Sequence, residues 1–123
     1  MQDAGQLGGL IGRVLRVNEH VDGAVASNHL IRLAASSDVD AAVLYTILAS
    51  DVGYRAVIRN AFGTSIPQLE SRHIGDIRIP WPKENVRKNI ANPVLMAWKL
   101  QDDALVSERQ AVELVEHYIE EAA

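Results

Sequence analysis

The apolar positions of this chain change period as it is read. Residues 11–17 run Ile11-Gly12-Arg13-Val14-Leu15-Arg16-Val17, branched residues mixed with basic ones, and predict a strand. Gly8, Gly9 and Gly12 place a turn or bulge at its start. Residues 18–23 are polar and read as a connection. Ala24-Val25-Ala26 and His29-Leu30-Ile31-Arg32-Leu33 predict a second and a third short strand. The period then turns helical. Ser36-Ser37-Asp38 opens a helix, with Asp38 placed to accept the free N–H groups of the first turn. Val39, Ala42, Val43, Ile47 and Leu48 share one face of it. Asp51-Val52-Gly53 interrupts the pattern, Val57, Ile58 and Phe62 resume it, and Gly63 stops it.

The polar turn Gly63-Thr64-Ser65-Ile66-Pro67-Gln68-Leu69 follows, then one expected helical turn within residues 70–76. Residues 77–80 predict a strand that Pro80 and Pro82 keep short or at an edge. From Glu84 the pattern is helical to the end. Pro93 predicts a kink or restart, with Asn92 as cap and Pro93 at the first helical position. Beyond it Trp98, Leu105, Val112 and Ile119 recur every seven residues, with Ala97, Ala104, Ala111 and Tyr118 beside them. Val94 and Val115 hold the second seam position, where Gln101 and Glu108 intervene. A helix over residues 94–121 is about 42 Å long at 1.5 Å per residue, more than the body needs. Trp98, Leu105, Val112, Val115 and Ile119 are therefore expected to pack on another long helix. The competing expectation is a helix folded back on its own domain. The pattern predicts an α+β fold: a small mixed globule of short strands and two helices over residues 1–82, then a long C-terminal helix over residues 83–123 suited to coiled-coil pairing.

Composition narrows the picture. At 123 residues with 48% apolar, the chain fits one domain with a core of Val, Ile, Leu and Ala. Cysteine is absent, which excludes disulfides and thiolate metal sites and suits a reducing compartment. No apolar run reaches the roughly 20 residues of a membrane span, and Met1-Gln2-Asp3-Ala4-Gly5 lacks the features of a signal peptide. The expectation is a soluble, cytoplasmic protein. The net charge of −4 is uneven. Residues 1–92 carry ten Lys/Arg against nine Asp/Glu, whereas residues 93–123 carry Lys99 and Arg109 against seven acidic residues. The acidity lies in the last helix, and a nucleic-acid face on the body must be local.

No reaction centre emerges. The four histidines, His20, His29, His73 and His117, lack metal-ligand spacing, although His117 neighbours Glu113 and Glu121 at helical spacing. Ser65 lies in Gly-Thr-Ser-Ile-Pro, not in a nucleophile elbow. Asp38 and Asp40, or Asp102 and Asp103, fall on expected caps or solvent faces, where nothing tunes them for acid–base work. Gly5, Gly8, Gly9 and Gly12 lead into an expected strand and not out of one into a helix, so they read as a turn and not as a phosphate loop. No metal and no cofactor is expected. The turn at residues 63–69 has more to offer. Thr64, Ser65 and Gln68 bring donors and acceptors for phosphates or a base edge, with Arg55 and Arg59 upstream and Arg72 and His73 downstream. The same hydroxyls also suit local closure of the turn, with Ile66 and Leu69 as anchors. Arg13, Arg16 and Arg32 either extend a basic groove or face water.

Taken in order, several blocks carry a resemblance. They are Gly9-Leu10-Ile11-Gly12-Arg13-Val14, Ala24-Val25-Ala26-Ser27-Asn28-His29-Leu30-Ile31-Arg32, Leu44-Tyr45-Thr46-Ile47-Leu48-Ala49-Ser50 with Gly53, Phe62-Gly63-Thr64-Ser65-Ile66-Pro67-Gln68-Leu69 and Ile74-Gly75-Asp76-Ile77-Arg78-Ile79-Pro80, followed by the acidic terminal helix. The chain resembles the C-terminal part of a target recognition domain, with its conserved-region helix, from the DNA-specificity subunit of type I restriction–modification systems. The resemblance implies a mixed α/β globule that reads half of a split DNA site, and a helix that pairs with a second such helix and docks methyltransferase (modification) subunits. It implies no catalytic residue here, since S-adenosylmethionine is held by the partner subunit. Joined to the chemistry of the polar turn, it gives an expectation of DNA contact through Arg55, Arg59, Thr64, Ser65, Gln68 and Arg72, and of assembly as a homodimer or with a second specificity half. A complete subunit has two recognition domains and two long helices; this chain has at most one of each. The alternative function is a stand-alone protein–protein assembly module that dimerises through its helix without specific DNA binding.

Overall fold

Serine side chains start the first two helices. The Ser37 hydroxyl accepts from the Asp40 N–H (3.1 Å) and opens α1, Asp38–Ala49; the capping oxygen is that of Ser37, one residue before Asp38. Ser50 accepts from the Gly53 N–H (3.1 Å) and opens α2, Asp51–Ile58. Asp51-Val52-Gly53 is thus the first turn of a new helix, bent 75° from α1. A single turn, α3 (Ser71–Gly75), follows the polar loop, and α4 runs unbroken from Glu84 to Ala122. The computed structural model describes all residues from Met1 to Ala123. No single helix is long and apolar enough to cross a membrane.

The expected α+β globule of short strands is not present. Helices hold 54% of the chain, strand-like positions only 4%, and there is no sheet. Residues 11–17, 24–26, 29–33 and 77–80 form no strand. What remains of pairing is three isolated antiparallel bridges, Gln2 with Leu30, Ala4 with Gln68, and Phe62 with Gln68. The physical reason lies in the partners. Residues 1–5 bond residues 29–31 on one side (Ile31 N–H to Met1 carbonyl, 2.8 Å) and residues 67–69 on the other (Leu69 N–H to Asp3 carbonyl, 2.7 Å). Pro67 has no N–H to extend that ladder, and Gly5 at φ 144 turns the strip away. Residues 7–12 are turn. Residues 13–18 have no regular structure, and their burial alternates: Val14, Arg16 and Asn18 are half-buried while Arg13, Leu15 and Val17 are exposed. They lie against helices, not beside a strand. Val25 is 97% exposed and packs on nothing.

Two apolar clusters hold the body. One joins Met1, Ile11, Leu48, Val57, Leu69 and Ile74. The other joins Ala42 and Val43 of α1 to Ala91 of α4, bordered by Val39, Ile47, Ile90, Val94, Leu95 and Trp98. The second explains why Pro93 does not restart the helix. Pro93 is exposed, and Ile90, Ala91, Val94 and Leu95 dock on α1 from both sides of it. One lost backbone hydrogen bond is outweighed by that burial. Asn92 lies within α4 and caps nothing. Arg87 fixes the helix start, with Nε 3.2 Å from an Asp40 carboxylate oxygen and Nη1 donating to the Pro82 carbonyl (3.0 Å).

Gly53 is where α2 turns away from α1. A Cβ there would sit 1.9 Å from the Ile47 carbonyl oxygen. Gly53→Ala is expected to cost about 3 kcal/mol, since the overlap is with backbone and no side chain can yield. Gly75→Ala, where a Cβ meets nothing within 4 Å, is expected to change stability by less than about 1 kcal/mol. Urea unfolding midpoints of the two variants check the contrast.

Candidate assembly helix and polar turn

The 39 residues of α4 divide into two halves with different surroundings. The first half is docked on α1 and held by a strap, residues 13–21, that ends in a single 3-10 turn at Glu19–Val21. Trp98 stands edge-on to Tyr45 (centroids 5.4 Å apart), and the Arg16 guanidinium lies over its ring at 5.3 Å. Arg16 also pairs with Asp102, and Asn18 Nδ2 donates to the same carboxylate oxygen at 2.9 Å. Farther along, Arg109 Nη2 donates to His20 Nδ1 at 3.3 Å. Arginine can only donate, so this contact requires the neutral imidazole. From Asp103 to the end every residue of α4 is exposed.

Of the expected packing residues, Trp98 is thus half-buried within its own chain, whereas Leu105, Val112, Val115 and Ile119 are 42%, 55%, 57% and 59% exposed. Leu114 and Tyr118, outside the expected seam, are exposed at 71% and 72%. At the base of the free half an open groove of about 460 Å³ lies between the strap, Tyr45 and α4, with Trp98, Ala104 and Leu105 along its helix side. Its strap side comes from residues 14–18, most of which fall in the segment 11–17 expected to be a strand.

The expected DNA-contact residues are all exposed. Arg55 is paired with Asp51 across one helical turn (2.9 Å) and Arg72 with Glu70 (2.5 Å). Arg59 caps the C-terminus of α2. Thr64 and Ser65 form the tip of a turn that Gly63 opens at φ 98. Gln68 exchanges both backbone hydrogen bonds with Phe62 (2.8 and 3.0 Å), which closes the loop while leaving its side chain outside. The anchors differ from those expected: Leu69 is buried, but Ile66 is 61% exposed. His73 packs edge-on against Phe62 at 6.0 Å. The other histidines lie apart, His29 near Asp3 and His117 near Glu121. No family model, no curated protein and no solved structure matches the chain.

The hydrogen bonds from Arg16 and then Asn18 hold the Asp102 carboxyl below its ordinary range. Its folded value lies below the unfolded one. The ionised contact therefore stabilises the closed strap above about pH 4 and is lost as pH falls through the lower folded value. Fluorescence of Trp98, which lies under Arg16, is expected to shift through that acid window in a chain carrying Trp81→Phe. With Asp102→Asn added it should be shifted at neutral pH already and flatter with acid. Identical pH profiles would show that the pair does not hold the strap.

Proposed function

We propose that this chain is a DNA-specificity module of the type I restriction–modification kind. It assembles with a modification subunit through α4 and touches DNA with its globule. The observation that carries the assembly half is surface. A compact 13.5 kDa monomer exposes about 6,500 Å², whereas this chain exposes 9154 Å². The excess exceeds the roughly 800 Å² that one partner contributes to a standard interface. The free half of α4 is exposed along its whole length, and there Leu105, Val112 and Ile119 keep the seven-residue repeat of a helix-pairing surface, with Val115 on its second seam.

The DNA half is supported by the sequence resemblance and by the exposure of Arg59, Thr64, Ser65 and Gln68 beside a loop held at both ends. Phosphate contacts suit Arg59 and the hydroxyls, and the Gln68 amide suits a base edge. In this reading the chain supplies no chemistry, and the methyl donor is held by the partner. A second reading, an assembly module without DNA contact, draws on the carboxylates of Asp51 and Glu70, which already occupy Arg55 and Arg72.

The experiment is a gel-shift series over varied duplexes at low salt, with and without a type I modification subunit. Binding that weakens with salt supports the first reading. Arg59→Ala should weaken all duplexes alike and lower the salt slope by about one, while Gln68→Ala should alter preference among them. Absence of binding in every lane removes the DNA half and leaves the second reading.

A further inference from the structure

The free half of α4 is acidic along one edge of its apolar stripe. Beyond Ala104 it carries one arginine, Arg109, against five glutamates, Glu108, Glu113, Glu116, Glu120 and Glu121, a net of −4. All are exposed. Arg109 reaches toward His20 of the strap. The last turn holds no basic residue, so the carbonyl end of the helix adds to the negative potential. Helical spacing puts Glu116 and Arg109 on one border of the stripe, with Glu113 and Glu120 just outside them, and Ala104, Ala111 and Tyr118 on the other. Glu108 stands inside the stripe, between Leu105 and Val112, where a docked helix covers it.

We propose that the occupant of this surface is an amphipathic helix of another protein, apolar along its seam and bordered by lysine or arginine. The proposal rests on the reading of α4 as an assembly helix and names its partner's chemistry. A second copy is the poorer occupant: it brings −4 against −4, with Arg109 as its sole cation in this half. It also adds a second Glu108 to be covered, and a buried carboxylate without a cation is strongly disfavoured. A basic-bordered helix supplies the missing charge at both places, and border charges select partners in helix pairs. The small side chains of Ala104 and Ala111 let its backbone approach, and the groove at Tyr45 and Trp98 receives its end.

The test uses the full chain and two dye-labelled synthetic helical peptides with the same Leu/Ala seam, one bordered by Lys and Arg, the other by Glu. Fluorescence anisotropy is expected to show binding of the basic peptide alone, weakening about tenfold or more between low and high salt as border charges are screened. The double variant Glu108→Lys, Glu116→Lys should reverse the preference, whereas Val112→Asp should abolish binding of the basic peptide. Equal binding of the two peptides to the unmodified chain overturns the charge argument. A stable dimer in sedimentation that Val112→Asp dissolves overturns it too, because a second copy is then the occupant, although α4 remains an assembly helix. No peptide binding and a monomer in sedimentation overturn both the proposal and the reading beneath it.

Discussion

The close approach of α4 to α1 is the constraint on which the architecture depends. Ala42, Val43 and Ala91 are fully buried where the two helices meet, and small side chains allow helix axes to lie near the short end of the usual 8–10 Å range. Everything else is arranged around that seam. It carries α4 past Pro93 without a break. It places Trp98 against Tyr45, which gives the strap an aromatic surface and lets Arg16 reach both the ring and Asp102. It also sets how much helix is left over. Docking ends near Asp102, while α4 continues to Ala122, so about 30 Å of helix at 1.5 Å per residue leaves the globule.

That overhang separates two chemistries on one element. Near its start α4 is tied to the body by Arg87, bonded to the Pro82 carbonyl and beside Asp40. Past the strap it is acidic and apolar, and the body offers it nothing beyond His20. The polar turn, by contrast, belongs to the body: Leu69 sits in the first core cluster and Gln68 is fixed through its backbone. A loop so held presents Thr64, Ser65 and Gln68 at low further cost in entropy, because its ends are already ordered. The free half of α4 and the polar turn are therefore surfaces that share no residues.

The helices were legible because their signals are local. The shared face of Val39, Ala42, Val43, Ile47 and Leu48 is buried or half-buried in α1, and the expected turn within residues 70–76 is α3. The strands were not legible because a run of branched residues reports a buried or half-buried environment and not a hydrogen-bonding partner. Val14, Arg16 and Asn18 face α1 and α4 instead of a core beneath a sheet. No local signal distinguishes those cases. Pro93 misled for a related reason: its cost is local and fixed, whereas the burial of Ala91 on Ala42 and Val43 is tertiary. For the candidate site, the free half of the stripe was legible in the seven-residue repeat. The pairing of Arg55 with Asp51 and of Arg72 with Glu70 depends on side-chain geometry that the turn's own sequence does not report.

One repeat serves both halves of α4 through a mismatch of periods. Trp98, Leu105, Val112 and Ile119 are seven apart, but a straight helix turns 3.6 residues at a time, so a seven-residue stripe drifts by about 20° per repeat. Over the three repeats from Trp98 to Ile119 the stripe rotates by about 60°. At Trp98 it faces α1 and the strap; by Val112 both have fallen away, and the stripe continues into open solvent. Had α4 served only to close its own globule, apolar residues beyond the last contact would bring exposure with no burial in return. A sequence that maintains the repeat through Val112, Val115 and Ile119 after the globule has ended is best explained by a second surface laid along it.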